Sequence, residues 1–268
     1  MISSGDVAKL GTRLGVGQRV IERDYVLSWL LVGIAESELR NELAFKGGTA
    51  LKKVYYPDYR FSEDLDFTLP GDLPHNDLVQ AFEPVFVWLE REVNLTLAVR
   101  REEQSIFDST TLLVNYVGPL RASLGSRHVK ADFTRGELLL HPLADGTLQA
   151  PSYDDYRTGV TLPTYSLEEI LTEKLCALVG RTEPRDLYDV YWLFESRDVD
   201  LSFLPDSFAR KCEHKKQDST RLYGMLADKQ TTFARLWASR LKQQVTELPD
   251  LKMVLRVVRK HVRELGPP

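Results

Sequence analysis

Asp64 and Asp66 stand two residues apart in the run Arg60-Phe61-Ser62-Glu63-Asp64-Leu65-Asp66-Phe67. Leu65, Phe67 and Leu69 alternate with Asp64, Asp66 and Thr68, which predicts a strand carrying both carboxylates on one face. Carboxylates placed side by side repel each other unless a cation lies between them. A hard divalent ion, Mg²⁺ or Mn²⁺, takes oxygen ligands of this kind and completes its shell with phosphates. Just upstream, Lys46-Gly47-Gly48-Thr49-Ala50-Leu51 offers those phosphates a place. Gly47 and Gly48 let the backbone approach closely, and residues 49–55 read as a helix whose first amides point at an anion. Thr49 adds a hydroxyl to the same phosphates, and Ser62 reads as a structural or phosphate-contacting residue. Glycine turn, helix start and acidic strand in that order imply a metal-dependent nucleotide site.

Further residues extend the pattern. In residues 127–134, Val129, Ala131 and Phe133 alternate with Lys130, Asp132 and Thr134, so Asp132 relates to its apolar neighbours as Asp64 and Asp66 do to theirs. If the two strands are neighbours in one sheet, three carboxylates converge and could hold two ions for an in-line displacement. Lys174 follows Ile170 and Leu171 at helical spacing, on the border of an apolar stripe. It reads either as a lysine aimed at a triphosphate or as a snorkelling one. The run Arg181-Thr182-Glu183-Pro184-Arg185-Asp186-Leu187-Tyr188-Asp189 reads either as part of the same site or as a salt-bridge network at a helix start.

The glycine turn followed by Arg60, Ser62, Asp64, Leu65 and Asp66 resembles the AbiEii/AbiGii toxin family of nucleotidyltransferases, MenT-type toxins among them, in the polymerase-β-like superfamily. The resemblance runs from about Phe45 to Phe194, with Glu173-Lys174, Arg181, Arg185, Asp186 and Asp189 matching a second motif block. It implies a nucleoside triphosphate substrate, with Asp64, Asp66 and Asp132 as metal ligands and Asp132 beside the attacking hydroxyl. It also implies that Lys174 binds nucleotide phosphate, that Arg181 and Arg185 join it, and that Asp186 positions base, ribose or Lys174. For the whole protein it implies the toxin of a toxin–antitoxin or phage-abortive pair, a cognate antitoxin, and transfer of nucleotides to the 3′ end of tRNA. Two other readings of the residues are a glycosyltransferase using Asp-x-Asp for a nucleotide sugar, and a non-catalytic nucleotide- or partner-binding protein.

The elements that must position these residues suggest an α+β fold: a mixed β-sheet with flanking helices, then a helical C-terminal domain completing the cleft. A domain boundary is expected between residues 143 and 165, giving domains 1–150 and 151–268. Residues 1–20, punctuated by Gly5, Gly11, Gly15 and Gly17, predict no long regular element, and residues 21–43 predict one helix. Further helices are expected over 75–92, 184–194, 233–245 and 251–262. Strands are expected over 44–46, 94–100 and 110–117, a further strand over 137–141, and loops around a short strand over 144–163. Ser166-Leu167-Glu168-Glu169 has the form of a capping box starting a helix that ends at Gly180. Composition, 43% hydrophobic and 28% charged, is that of a globular protein. Only Cys176 and Cys212 are present, without a Cys-x-x-Cys pair, so a disulfide framework or zinc cluster is not expected and a reducing cytoplasm fits. The most apolar run, residues 26–35, is too short to span a bilayer. The net charge of −4 is uneven: residues 210–268 hold 14 Lys/Arg against 6 Asp/Glu, a basic tail suited to a polyanion or simply a solvated face.

Overall fold

The computed structural model describes residues 1–105, 109–149, 153–157 and 159–265. The chain divides into two compact units, Met1–Glu137 with Leu143–Thr164, and Leu138–Pro142 with Tyr165–Pro268. The expected boundary at 150/151 lies outside the described residues; the contact division runs after Thr164.

In the first unit, α1 (Ser4–Leu14), α2 (Gln18–Ala35) and α4 (His75–Val93) accompany a mixed sheet. Its strands are β1 (Ala44–Lys46), β2 (Asp64–Thr68), β3 (Thr96–Gln104), β4 (Thr110–Val117), β5 (His128–Thr134), β6 (Ala144–Thr147) and β7 (Thr161–Thr164). The spatial order is β3-β4-β5-β2-β1-β7-β6, with β2–β5 and β1–β7 parallel and the other neighbours antiparallel.

Alternation carries the central strands as read from the sequence. Leu65 and Phe67, Leu112, Val114 and Tyr116, and Val129, Ala131 and Phe133 are all buried. Phe45, Phe67 and Phe133 stand opposite one another across β1, β2 and β5. Their rings lie 5.4 Å apart at each step, and Phe82 of α4 closes on Phe133 edge-on at 5.7 Å. A one-residue slip of β5 would turn Phe133 out of the core and Asp132 into it, so this aromatic row fixes the register.

Several expectations fail for local reasons. The first residues form α1 despite their glycines, because Ser3 and Asp6 make a reciprocal capping box and Gly15 terminates the helix at φ 67°. The helix expected over 21–43 stops at Ala35. Ser37 binds Ile34 O and Leu39 N and starts a separate 3-10 turn, Glu38–Asn41. Residues 137–141 are not a strand, whereas the 144–163 stretch supplies two, β6 and β7.

The second unit is helical: α5 (Leu167–Gly180), α6 (Pro184–Ser196), α7 (Leu204–His214), α8 (Leu222–Asp228), α9 (Gln230–Leu241) and α10 (Leu251–Glu264). Ser166 caps α5 by accepting from Glu169 N, but the reciprocal half of the expected capping box is missing. The Glu169 carboxylate is instead buried with Lys211 at 2.6 Å and accepts from Leu140 N and His141 N. A buried carboxylate is held most firmly where cation and amides satisfy both its oxygens, which outweighs one exposed cap bond. Among the described residues, no helix is long and apolar enough to cross a membrane.

Candidate active site

The first unit brings the acidic residues together by register. Asp66 of β2 is the cross-strand partner of Asp132 on β5, and Asp64 is the partner of Lys130. Asp64, Asp66, Lys130 and Asp132 therefore share one face of the sheet, opposite the aromatic core, and all four are partly exposed. The Lys130 ammonium bonds Asp132 Oδ2, and the Thr111 hydroxyl of β4 donates to Asp132 Oδ1 at 2.5 Å. Burial works against the charge on Lys130, yet Asp132, Asp64 and Asp66 together push its pKa above the ordinary lysine value.

The glycine turn closes on this face. A short helix, α3 (Gly47–Ala50), starts at the glycines themselves rather than after them, and a single π-helical turn, Leu51–Tyr55, continues it. Gly47 has φ 79°, and a Cβ there would lie 2.5 Å from Asp66 Oδ2. Both the dihedral and the space demand glycine. Thr49 is fully buried; its hydroxyl donates to Asp64 O at 2.5 Å and lies 2.6 Å from Ser62 Oγ. Thr49 and Ser62 thus tie the glycine turn to the first residue of β2. Lys46, opposite Asp66 across β1–β2, pairs with Glu137 at 3.6 Å. The end of the helical segment is anchored by Lys53, buried with Asp24 at 2.7 Å and Ser28 at 2.8 Å.

The predicted residues of the second block meet within the second unit. Lys174 of α5 lies 2.8 Å from Asp186 and 2.9 Å from Asp189, three residues apart on α6 and so on one face. Arg181 grips Asp186 with two bonds, Nε to Oδ2 at 2.7 Å and Nη2 to Oδ1 at 3.1 Å. Burial would raise the Asp186 pKa, but Lys174 and Arg181 outweigh it and hold the carboxyl below its usual range. Arg185 pairs with Glu183 at 3.5 Å.

Lys130, Thr111 and Lys46 were not singled out from the sequence as site residues. The alternation of Lys130 with Ala131 was visible, but its place beside Asp64 appears only once β2 and β5 pair. Among the described residues, no three His, Cys, Asp or Glu side chains already stand in a metal-holding cluster. Asp132 is drawn to Lys130 and Thr111. The donors nonetheless suit a hard cation: three carboxylates on adjacent positions of one partly exposed face, with Asp66 packed so closely on Gly47 that no side chain fits between them.

A family model described as "Nucleotidyl transferase AbiEii toxin, Type IV TA system" matches residues 29–263. Among solved structures, MenT4, a nucleotidyltransferase toxin from Mycobacterium tuberculosis H37Rv, superposes with TM-score 0.64 at 21% identity, covering 100% of this chain and 91% of that one. JHP933 from Helicobacter pylori superposes with TM-score 0.54 at 16% identity, covering 93% of each chain. At these identities the likeness concerns the fold. Among curated proteins none matches.

Proposed function

The chain belongs to the AbiEii nucleotidyl transferase toxin family, and from that premise we propose that the β2–β5 face is the catalytic centre of a metal-dependent transfer of NMP to an RNA hydroxyl. Its enzyme class, nucleotidyltransferase, follows from the family. One observation carries the reading of the site: Asp66 and Asp132 are register partners, and Gly47 is packed against Asp66 where any side chain would collide.

Asp64, Asp66 and Asp132 would hold divalent cations, Mg²⁺ being the chemically apt choice. The bound cation would supply charge for the triphosphate and for the oxygens of an in-line displacement. The acceptor hydroxyl forms a new bond to the α-phosphorus as the bond to the β-phosphate oxygen breaks, and pyrophosphate leaves. Asp132, partly exposed and the register partner of Asp66, would accept the hydroxyl proton. Gly47 and Gly48 would let the phosphates approach the turn, while Thr49 and Ser62 keep that turn seated on β2. Lys174, Arg181 and Arg185 would bind nucleotide phosphate, with Asp186 and Asp189 orienting Lys174. As a family member the protein is a toxin-type nucleotidyltransferase, and we assign it a cognate antitoxin as partner and the 3′ end of tRNA as acceptor.

The test is incubation with Mg²⁺, total tRNA and each α-³²P-labelled nucleoside triphosphate in turn, beside Asp66→Ala. Label on tRNA with the unaltered protein alone is the expected result. Label on the protein itself, or on no acceptor while nucleotide still binds, would overturn the tRNA assignment.

A further inference from the structure

The last helix carries a feature that the catalytic centre does not use. Its inner face, Val254, Leu255, Val258 and Val262, is buried, while Lys252, Arg256, Lys260 and Arg263 are exposed. Their spacing of four, four and three residues lines them up along one side of α10. The four cations span about 16 Å at steps of roughly 6 Å, from the rise of an α-helix. Among the described residues, Lys252, Arg256 and Lys260 make no ion pair, although Glu264 closes the same helix. Arg263 is steadied by Tyr223, whose hydroxyl accepts from its Nη2 at 2.6 Å and whose ring lies under its guanidinium at 5.2 Å. The helix is also firmly built, since the Asp250 side chain accepts from Lys252 N and Met253 N at its start.

We propose that this stripe on α10 binds the phosphate backbone of the RNA acceptor. The inference rests on the reading of an RNA acceptor given above and adds the surface that holds it. Single cations repeated at a helical step match the separation of successive phosphates along a strand, and each contact adds affinity by releasing a counterion. Protein partners are held by apolar anchors at the centre of a patch. The exposed large hydrophobic residues among those described are Val87, Val99 and Leu124, all in the first unit and none on α10. The apolar cleft lined by Phe208, Leu222, Tyr223, Val262 and Leu265 meets the stripe only at Arg263, so along Lys252, Arg256 and Lys260 the charge has no apolar centre, which favours nucleic-acid backbone over a protein face.

The experiment measures fluorescence anisotropy of a fluorescein-labelled RNA hairpin ending in a 3′-phosphate, without nucleotide or metal, so that no transfer can occur. The protein is the full chain, its triple variant Lys252→Glu/Arg256→Glu/Lys260→Glu, and the matching triple glutamine variant. Far-UV circular dichroism and melting confirm that each variant folds. The glutamate variant is expected to bind at least tenfold more weakly, with a log K against log salt slope shallower by about 2 to 3, and the glutamine variant to fall between. Unchanged RNA binding in both variants overturns the proposal. Asp66→Asn is measured in parallel. Retained RNA binding with unchanged transfer by Asp66→Asn in the labelled-triphosphate assay would defeat the catalytic reading and leave the stripe standing, and transfer to a non-RNA acceptor by the unaltered protein would defeat only the acceptor assignment.

Discussion

Two acidic clusters in this chain follow opposite designs. On β2 and β5, Asp64, Asp66 and Asp132 are partly exposed and crowd one face around the Lys130 ammonium. On α6, Asp186 and Asp189 are 1% and 0% exposed and meet Lys174 and Arg181 at 2.7 to 2.9 Å. A buried carboxylate must be matched within the protein, because removing its partner leaves an uncompensated charge. A half-exposed carboxylate keeps its water and can exchange it for a cation and phosphates. The first cluster is therefore suited to chemistry with modest structural weight. The second ties α5 to α6 and presents Lys174 from a rigid frame.

The largest expected effect breaks this comparison at the sheet. Asp64→Asn should lower pyrophosphate release on the order of 10³-fold or more, since ligand loss removes several kcal/mol of charge stabilisation, while a thermal melt stays within about 2 °C. Next comes the helical cluster. Asp186→Asn removes the bidentate partner of the solvent-exposed Arg181 and one of the two carboxylates on Lys174, which keeps Asp189, and should destabilise by about 1 to 3 kcal/mol, which chemical denaturation would register; an unchanged melt would put the two clusters in one class.

Gly47→Ala should follow. Positive φ costs of order 1–3 kcal/mol for a side chain, and the new Cβ must displace Asp66. We expect a transfer rate lowered tens of fold, with Gly47→Ser no better.

The pH dependence of folding separates the clusters more finely. The Asp186 pKa is depressed in the fold, so its contribution is present above the unfolded carboxylate value of about 3.9 and is lost as pH falls through the folded value. An acid titration of the melt should therefore lose a component below about pH 4 in Asp186→Asn. The smallest effect is expected from Lys130→Met. It removes the ammonium among the three carboxylates, so added Mg²⁺ should raise the melting temperature a few degrees more than in the unaltered protein, as differential scanning fluorimetry would show.

Much of the first cluster was legible because period-two alternation places residues on a face without tertiary information. Alternation put Asp64, Asp66 and Asp132 opposite the apolar core residues, and their adjacency awaited the parallel pairing of β2 with β5. What stayed hidden depended on distant partners. The Glu169 carboxylate left its local cap for Lys211, 42 residues away. Cys176 and Cys212, 36 residues apart, place their thiols 3.2 Å from each other in a helical core. Thr49 looked like a phosphate ligand by its place in the turn; its burial against Ser62 and Asp64 O emerges only from the fold. Glycines misled in residues 1–20, where Gly5 and Gly11 sit inside α1, Gly15 ends it and Gly17 caps α2.

The central claim is that the sheet cluster, and not the helical one, holds the cation. Mn²⁺ binding followed by electron paramagnetic resonance, with a non-hydrolysable triphosphate present, tests it in the unaltered protein, Asp66→Asn and Asp186→Asn. The account predicts tight Mn²⁺ in the unaltered protein, its loss in Asp66→Asn, and its retention in Asp186→Asn at a temperature where that variant stays folded. Retention in Asp66→Asn with loss in folded Asp186→Asn would contradict it.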